Sequence, residues 1–462
     1  MNLHDLTAVE QARAIRRGET SSVELTEHYL RRSHDLSASV GAFVTLTDDL
    51  ALEQARAADE RVAAADDAEE LPPLHGVIVP VKDLHQVKGV RCRYGSTVVD
   101  LISPIDDDMV VLLREGGTVM TGKTTTPEFG LPCYTEPEVG DLARTPWDLD
   151  RGAGGSSGGA AAAVAAGLAP IAQGSDGGGS IRIPASVCGL VGVKTSRGLV
   201  PTGPLPPAIG RLGVSGPLAR TVEDAAALLD VMSGRSREDS FLRDLDVDPQ
   251  PLVIGRYRQP VITDTPVHHE CVAAYEHTST LLESLGHRVI DIDIPFPLSA
   301  VPRFEKVWCA LASMIPIPPE RESELRPLTR WLREIGRTMT FEEVMVEVDL
   351  MTELGRNAIE ATAHLDAILT PTLADLPAPH GTLRNDADPA ADFLAQKRFT
   401  PFTSAYNITG QPAVSLPLHW TKDGLPVGVQ LVGRPMGEAP LLRLAAQLER
   451  ARPWAHRRPE VW

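Results

Sequence analysis

The chain has 462 residues, 43% apolar and 23% charged, with a formal net charge of −18. This is an ordinary globular composition, long enough for two or three domains, and its acidity argues against a nucleic-acid partner. No run approaches the roughly 18 apolar residues needed to cross a bilayer, and the opening MNLHDLTAVEQARAIRRGE lacks a signal peptide's apolar core. The five cysteines (92, 133, 188, 271 and 309) are odd in number and irregularly spaced. They argue against a disulfide framework or zinc ribbon and fit a reducing cytosol, so the expected location is cytoplasmic.

The first 70 residues read as helices. Apolar residues recur every three or four positions over 7–17 and 22–36, and Ser21-Ser22-Val23-Glu24 fits a capping box opening the second. Residues 50–65 form an Ala-rich helix, followed by the solvated acidic loop 66–73. Short β-rich runs then alternate with helices. The expected strands are 76–81, 118–121, 169–173, 252–256, 287–293, 367–371, 413–418 and 427–432. The expected helices are 106–115, 157–167, 222–233, 267–285, 303–314, 326–337, 341–363 and 439–451. Lys422-Asp423-Gly424 is a hairpin turn between the last two strands. This alternation predicts an α/β fold, a mixed sheet covered by helices on both faces. No internal repeat or clear linker interrupts it.

Three motifs compete for attention. Gly117-Thr118-Val119-Met120-Thr121-Gly122-Lys123-Thr124 matches the P-loop letter for letter, but a P-loop needs a strand before it and a helix after it. Here a helix precedes, the strand lies inside, and Pro127 and Gly130 break any helix beyond it. Gly154-Gly155-Ser156-Ser157-Gly158 fits a nucleophile elbow, yet a turn-like segment rather than a strand leads into it, and no downstream histidine has a catalytic context. His268-His269-Glu270-Cys271 cannot face one ion, because neighbours on a helix point about 100° apart.

Gly174-Ser175-Asp176-Gly177-Gly178-Gly179-Ser180 is more telling. Its glycines let successive N–H groups converge on one oxygen, and a helix starting at 181 would add its dipole. That is the requirement of an oxyanion hole, and a serine at its edge suggests acyl transfer. On its own the triplet reads first as a plain Gly-rich turn. A second Gly-bracketed serine loop lies one helix-strand unit upstream, and Lys82 closes the apolar run Gly76–Lys82. A serine hydroxyl needs a base, and lysine can serve without histidine.

Together these segments resemble the amidase signature family. The match runs closely over 70–230 and more loosely over 365–450. It is carried by the Gly76–Asp83 run, Gly122-Lys123-Thr124 with Glu128-Phe129-Gly130, the Gly154–Gly159 loop, Gly174–Ala185, Cys188–Lys194 and Gly410-Gln411-Pro412-Ala413. The resemblance implies one amidase domain over 1–462, with a catalytic core at 70–230, a more variable substrate-shaping helical segment at 235–365, and the rest of the sheet at 366–462. It implies Ser180 as acylating nucleophile, Ser156 as bridging serine after a cis Gly155–Ser156 bond, and Lys82 as general base. Gly177, Gly178 and Gly179 would form the oxyanion hole, with Ser157, Asp176 and Arg182 in support. The chain departs from the family at Gly177, often Thr, and at Thr145, usually Asn.

The implied chemistry is hydrolysis of a small aryl, alkyl or cyclic amide, without metal or organic cofactor. Burial should lower the Lys82 pKa so that the amine is free to accept a proton. Cys133–Glu138 and Ala185–Gly189 look more like the nylon-oligomer-hydrolase branch than an amidotransferase subunit. The glutaminase subunit of a tRNA-dependent amidotransferase and a catalytically idle scaffold protein remain alternatives. Leu131 is a candidate for lining the acyl site, with Cys133 and Tyr134 behind it. The segment 300–345 would shape the leaving-group side, and a homodimer is plausible by resemblance.

Overall fold

The computed structural model describes residues 2–462. Its centre is an eight-stranded mixed sheet in the spatial order Arg288–Asp291, Val253–Arg256, Ala367–Pro371, Pro426–Gly433, Ala413–Trp420, Val191–Lys194, Val214–Ala219 and Ile171–Asp176. The pairs made by Val253–Arg256 are parallel and the remainder antiparallel. Pro426–Gly433 is buried at every position, as expected of a central strand covered on both faces. One layer is supplied by Val222–Ser233, His269–Ser284 and Glu438–Ala451, whose buried residues join the sheet in the largest apolar cluster. The other is built around Gly158–Ala165 and Arg182–Cys188. Gly158–Ala165 carries nothing larger than valine and is wholly buried. Its small side chains let it lie close to Ile171–Asp176 and to a second, three-stranded sheet of Phe43–Leu46, Gly122–Thr124 and Val81–Lys82.

Two expected strands are shorter and shifted. The 76–81 run and the 118–121 run touch through the isolated Ile78–Val119 bridge, but the regular ladder resumes only at Val81–Lys123 and Lys82–Thr124. Pro80 has no N–H to donate and interrupts the pairing. The strands Val191–Lys194 and Val214–Ala219 lie outside the expected set; glycines, and Pro217 in the second, mask their β character. The expected hairpin turn is present, with Gly424 N–H donating to Thr421 O at 3.1 Å. All five cysteines are free and buried. No helix among the described residues is long and apolar enough to cross a membrane.

Candidate active site

Lys82 closes the short strand Val81–Lys82 and is fully buried. Its own N–H is anchored to Gln173 Oε1 at 3.0 Å, which fixes the root of the side chain. The Nζ atom lies 2.7 Å from Ser156 Oγ, 2.9 Å from Ser157 Oγ and 3.0 Å from Ser175 Oγ. The Ser157 hydroxyl donates to the Ser175 carbonyl at 3.1 Å, so towards the lysine it only accepts. No carboxylate among the described residues contacts Nζ. Burial therefore prevails over the more distant attraction of Asp176 and lowers the Lys82 pKa to about 7.

The Gly154–Gly159 loop reaches the lysine because it passes between other backbones. A Cβ at Gly155 would stand 2.6 Å from the Tyr134 nitrogen, so no side chain fits there. The Gly155–Ser156 peptide is cis. Thr126 Oγ1 donates to Ser156 O at 3.0 Å, and Ser157 N–H donates to Ser180 O at 3.1 Å. The second contact ties the backbone of residue 180 to the residue that follows Ser156. The Ser180 hydroxyl itself has no hydrogen-bond partner among the described residues, and the side chain opens onto a pocket.

The 176–182 segment is organised by one ion pair. Arg182 grips Asp176 with both arms, Nη2–Oδ1 at 2.8 Å and Nε–Oδ2 at 2.9 Å, and both side chains are fully buried. The remaining guanidinium hydrogens go to Thr403 O, Gln430 Oε1 and Asn407 Oδ1 at 2.6–2.8 Å. Burial alone would raise the Asp176 pKa, but the guanidinium holds it well below the usual carboxylate range. Asp176 in turn accepts from Gly179 N–H at 2.8 Å and Ile181 N–H at 3.2 Å, curling the loop around the carboxylate. Gly179, at φ 131°, allows this turn; a Cβ there would strike Thr403 Oγ1 at 2.4 Å. Its N–H is thus committed, whereas those of Gly177, Gly178 and Ser180 have no protein acceptor among the described residues. The loop is followed by the helix Arg182–Cys188, one residue later than expected.

The pocket opens to solvent and is lined mainly by apolar side chains. Leu131 and Cys133 form one wall, while Tyr134 turns away and donates to Asp392 Oδ2 at 2.7 Å. From 300–345 only residues 300–308 reach the lining, led by Phe304 and Trp308, whose rings stack with centroids 5.5 Å apart. Trp308 lies 3.4 Å from where a Gly177 Cβ would stand, so its ring packs against this part of the loop. One ion pair, Lys397–Glu305 at 2.7 Å, breaks the apolar wall. Thr145 ties Val187 O at 2.8 Å through its hydroxyl.

The decoy motifs have other uses. Lys123 is fully buried against Asp83 at 2.8 Å inside its strand, so no phosphate-cradling loop exists there. His268 caps its helix, Glu270 pairs with His419 at 2.6 Å, and Cys271 is buried, so the four residues diverge. Sequence reasoning did not single out Ser175 as a lysine partner, nor Thr403, Asn407 and Gln430 as the outer clamp on Arg182. The polar residues inside the otherwise apolar 401–408 stretch were the available signal.

The Amidase family model matches residues 24–442. The chain belongs to the amidase family. It is 38% identical over 465 residues to the putative amidase AmiB2 of Mycobacterium tuberculosis, covering 98% of each chain. It is 33% identical over 495 residues to the 6-aminohexanoate-cyclic-dimer hydrolase of Paenarthrobacter ureafaciens, covering 98% of this chain and 96% of that one. The structure of a 6-aminohexanoate cyclic dimer hydrolase complexed with substrate superposes with a TM-score of 0.88 at 29% identity over the full length of both chains. The protein is a hydrolase acting on amide C–N bonds, and its mixed, helix-covered sheet is the fold of amidase signature enzymes.

Proposed function

We propose that this amidase cleaves a small amide bearing an apolar aryl or alkyl group, through an acyl-enzyme on Ser180 generated by Ser156 and uncharged Lys82. The observation that carries the reading is the 2.7 Å contact between Ser156 Oγ and a fully buried, carboxylate-free lysine. An uncharged amine has two hydrogens and one lone pair. Ser157, whose own hydrogen is committed, takes one hydrogen, and Ser175 takes the other. The lone pair is left for the Ser156 hydroxyl proton. Ser156 then draws the Ser180 proton as the Ser180 side chain rotates into contact with bound substrate, since catalytic hydrogen bonds often tighten only in the complex.

Ser180 attacks the carbonyl carbon, and the oxyanion forms beside the unengaged N–H groups of Gly177 and Gly178. One such donor contributes about 3 kcal/mol to the transition state. The Gly179 N–H, held by Asp176, supports the loop instead. Lys82 returns its proton through Ser156 to the leaving nitrogen, and water enters by the same relay to release the acid. Asp176 and Arg182 touch none of the reacting atoms; they hold the donors in place. The apolar wall of Leu131, Phe304 and Trp308 favours an aryl or alkyl group, consistent with a relative named for a cyclic amide.

Hydrolysis of a panel of aryl, alkyl and cyclic amides tests this, with Lys82→Ala and Ser180→Ala beside the parent. Both variants should be inactive towards every substrate the parent cleaves. Near-full activity in Lys82→Ala would remove the lysine from the mechanism.

A further inference from the structure

The reaction poses a proton problem at Lys82. Acylation leaves the lysine neutral, because its borrowed proton departs with the amine. Deacylation forms a carboxylic acid beside that amine. An ordinary carboxylic acid has a pKa near 4, roughly three units below the lysine's value, so the acid proton moves to Lys82. The O–H bond of the product breaks, an N–H bond forms, and carboxylate and ammonium remain. The ammonium must lose that proton before another cycle can begin. Lys82 has no exposed surface of its own. Its contacts with Ser156 and Ser157 lead into the reaction or end at the Ser175 carbonyl. The remaining side-chain contact is Ser175 Oγ at 3.0 Å, away from the reacting atoms.

Ser175 sits on the edge strand Ile171–Asp176, directly opposite Ser215 in the antiparallel ladder. Residues so paired point to the same face with Cβ atoms about 5 Å apart; the two hydroxyls are engaged with Lys82 and His85 as they stand, and the hand-over needs one of them to rotate towards the other. Ser215 Oγ lies 3.4 Å from His85 Nε2, and His85 Nδ1 lies 2.9 Å from Asp107 Oδ2. A carboxylate only accepts, so Nδ1 carries the hydrogen and Nε2 is free to accept from Ser215. Ser175, His85 and Asp107 are each partly exposed, and none of them lines the substrate pocket. The other charged groups here, Lys123 and Asp83, neutralise each other at 2.8 Å, and Lys123 also donates to the His85 carbonyl. A tether for this loop does not need an imidazole: Asp107 already accepts from Gln86 N–H at 3.2 Å.

We propose that Ser175, Ser215, His85 and Asp107 form the exit through which Lys82 passes its proton to solvent after each turnover, on a face separate from substrate entry. The assignment rests on the Lys82 reading above. One proton leaves per cycle: an Nζ–H bond breaks, the two serines hand the proton on, Nε2–H forms to give an imidazolium beside the Asp107 carboxylate, and Nε2 then releases that hydrogen to water, which restores the tautomer with Nδ1–H towards Asp107. Nothing is oxidised or reduced. Imidazole suits the step because one ring nitrogen can accept a proton while the other keeps its own. His85 acts through Lys82 and touches no substrate.

The reset comes after product formation, so it enters kcat and not kcat/KM. In His85→Gln, which keeps a hydrogen-bonding group beside Asp107, kcat at pH 7 should fall about tenfold while kcat/KM stays within about twofold. Added imidazole should restore kcat, and kcat should rise with buffer concentration. Ser215→Ala, a smaller change, should show the same split without rescue. An unchanged kcat in both variants, or a parallel loss of kcat and kcat/KM that imidazole does not relieve, would overturn the exit route. If Lys82→Ala is inactive in the same assays, the relay alone has failed. If Lys82→Ala is fully active, the underlying base assignment falls, and the exit with it.

Discussion

Replacing Lys82 with methionine should stabilise the folded protein near neutral pH while abolishing activity. Burial displaces the lysine from its ordinary pKa of 10.5 to about 7. At 1.36 kcal/mol per unit, the fold carries a cost of roughly 5 kcal/mol for housing this group below pH 7. Methionine removes that cost and fills similar volume. It also deprives the Ser157 and Ser175 oxygens of a donor, at about 1 kcal/mol each. The net gain is thus about 3 kcal/mol. The sign of the pH dependence is specific. Below pH 7 the lysine is charged in both folded and unfolded chains and the cost is carried in full. Between about pH 7 and 10 the unfolded chain binds the extra proton, so parent stability rises by about 1.4 kcal/mol per pH unit. The advantage of Lys82→Met should therefore shrink at that slope between pH 7.5 and 9.5. Lys194, also lowered to about 7 by burial, is common to both proteins and cancels in the difference. Urea unfolding at a series of pH values measures it. A difference independent of pH would mean that Lys82 stays charged in the fold, and the mechanism would lose its base.

Other outcomes rest on the same geometry. Arg182→Met leaves the Asp176 carboxylate buried without its partner and should cost 3–5 kcal/mol in denaturant unfolding; a loss below about 1 kcal/mol would show that the pair does not organise the loop. Trp308→Ala should raise KM for aryl amides about fivefold, the worth of one aromatic contact, and leave small aliphatic amides unaffected. Steady-state kinetics on matched substrates separates the two. Gly155→Ala should not yield a folded active enzyme, since its Cβ would stand 2.6 Å from a backbone nitrogen; recovery of parent activity would contradict the packing.

The residues at the centre of the site were visible in the chain because their chemistry requires unusual composition. Glycine-bracketed serines and a lysine ending an apolar run stand out without any fold. The helices were legible where period and caps agreed, as at Val222–Ser233, which Thr221 caps through Asp224 N–H. The strands Val191–Lys194 and Val214–Ala219 were hidden because their glycines and proline are set by sheet packing, not propensity. Of the outer clamp, Thr403 and Asn407 left only the faint mark of polar residues in an apolar stretch and Gln430 left none, because all three lie more than 200 residues from Asp176 in sequence and only tertiary packing joins them. The 176–182 loop shows the same limit. Three glycines suggest three equivalent donors, yet Asp176 claims Gly179, a choice that depends on where Arg182 places the carboxylate.

The most direct test is the pH dependence of covalent labelling by a serine-directed phosphonate, with the adduct located by mass spectrometry. The account predicts a single adduct on Ser180, formed at a rate that rises through about pH 7 and then levels as Lys82 loses its charge. An adduct on Ser156, or a labelling rate that does not change across that range, would contradict it.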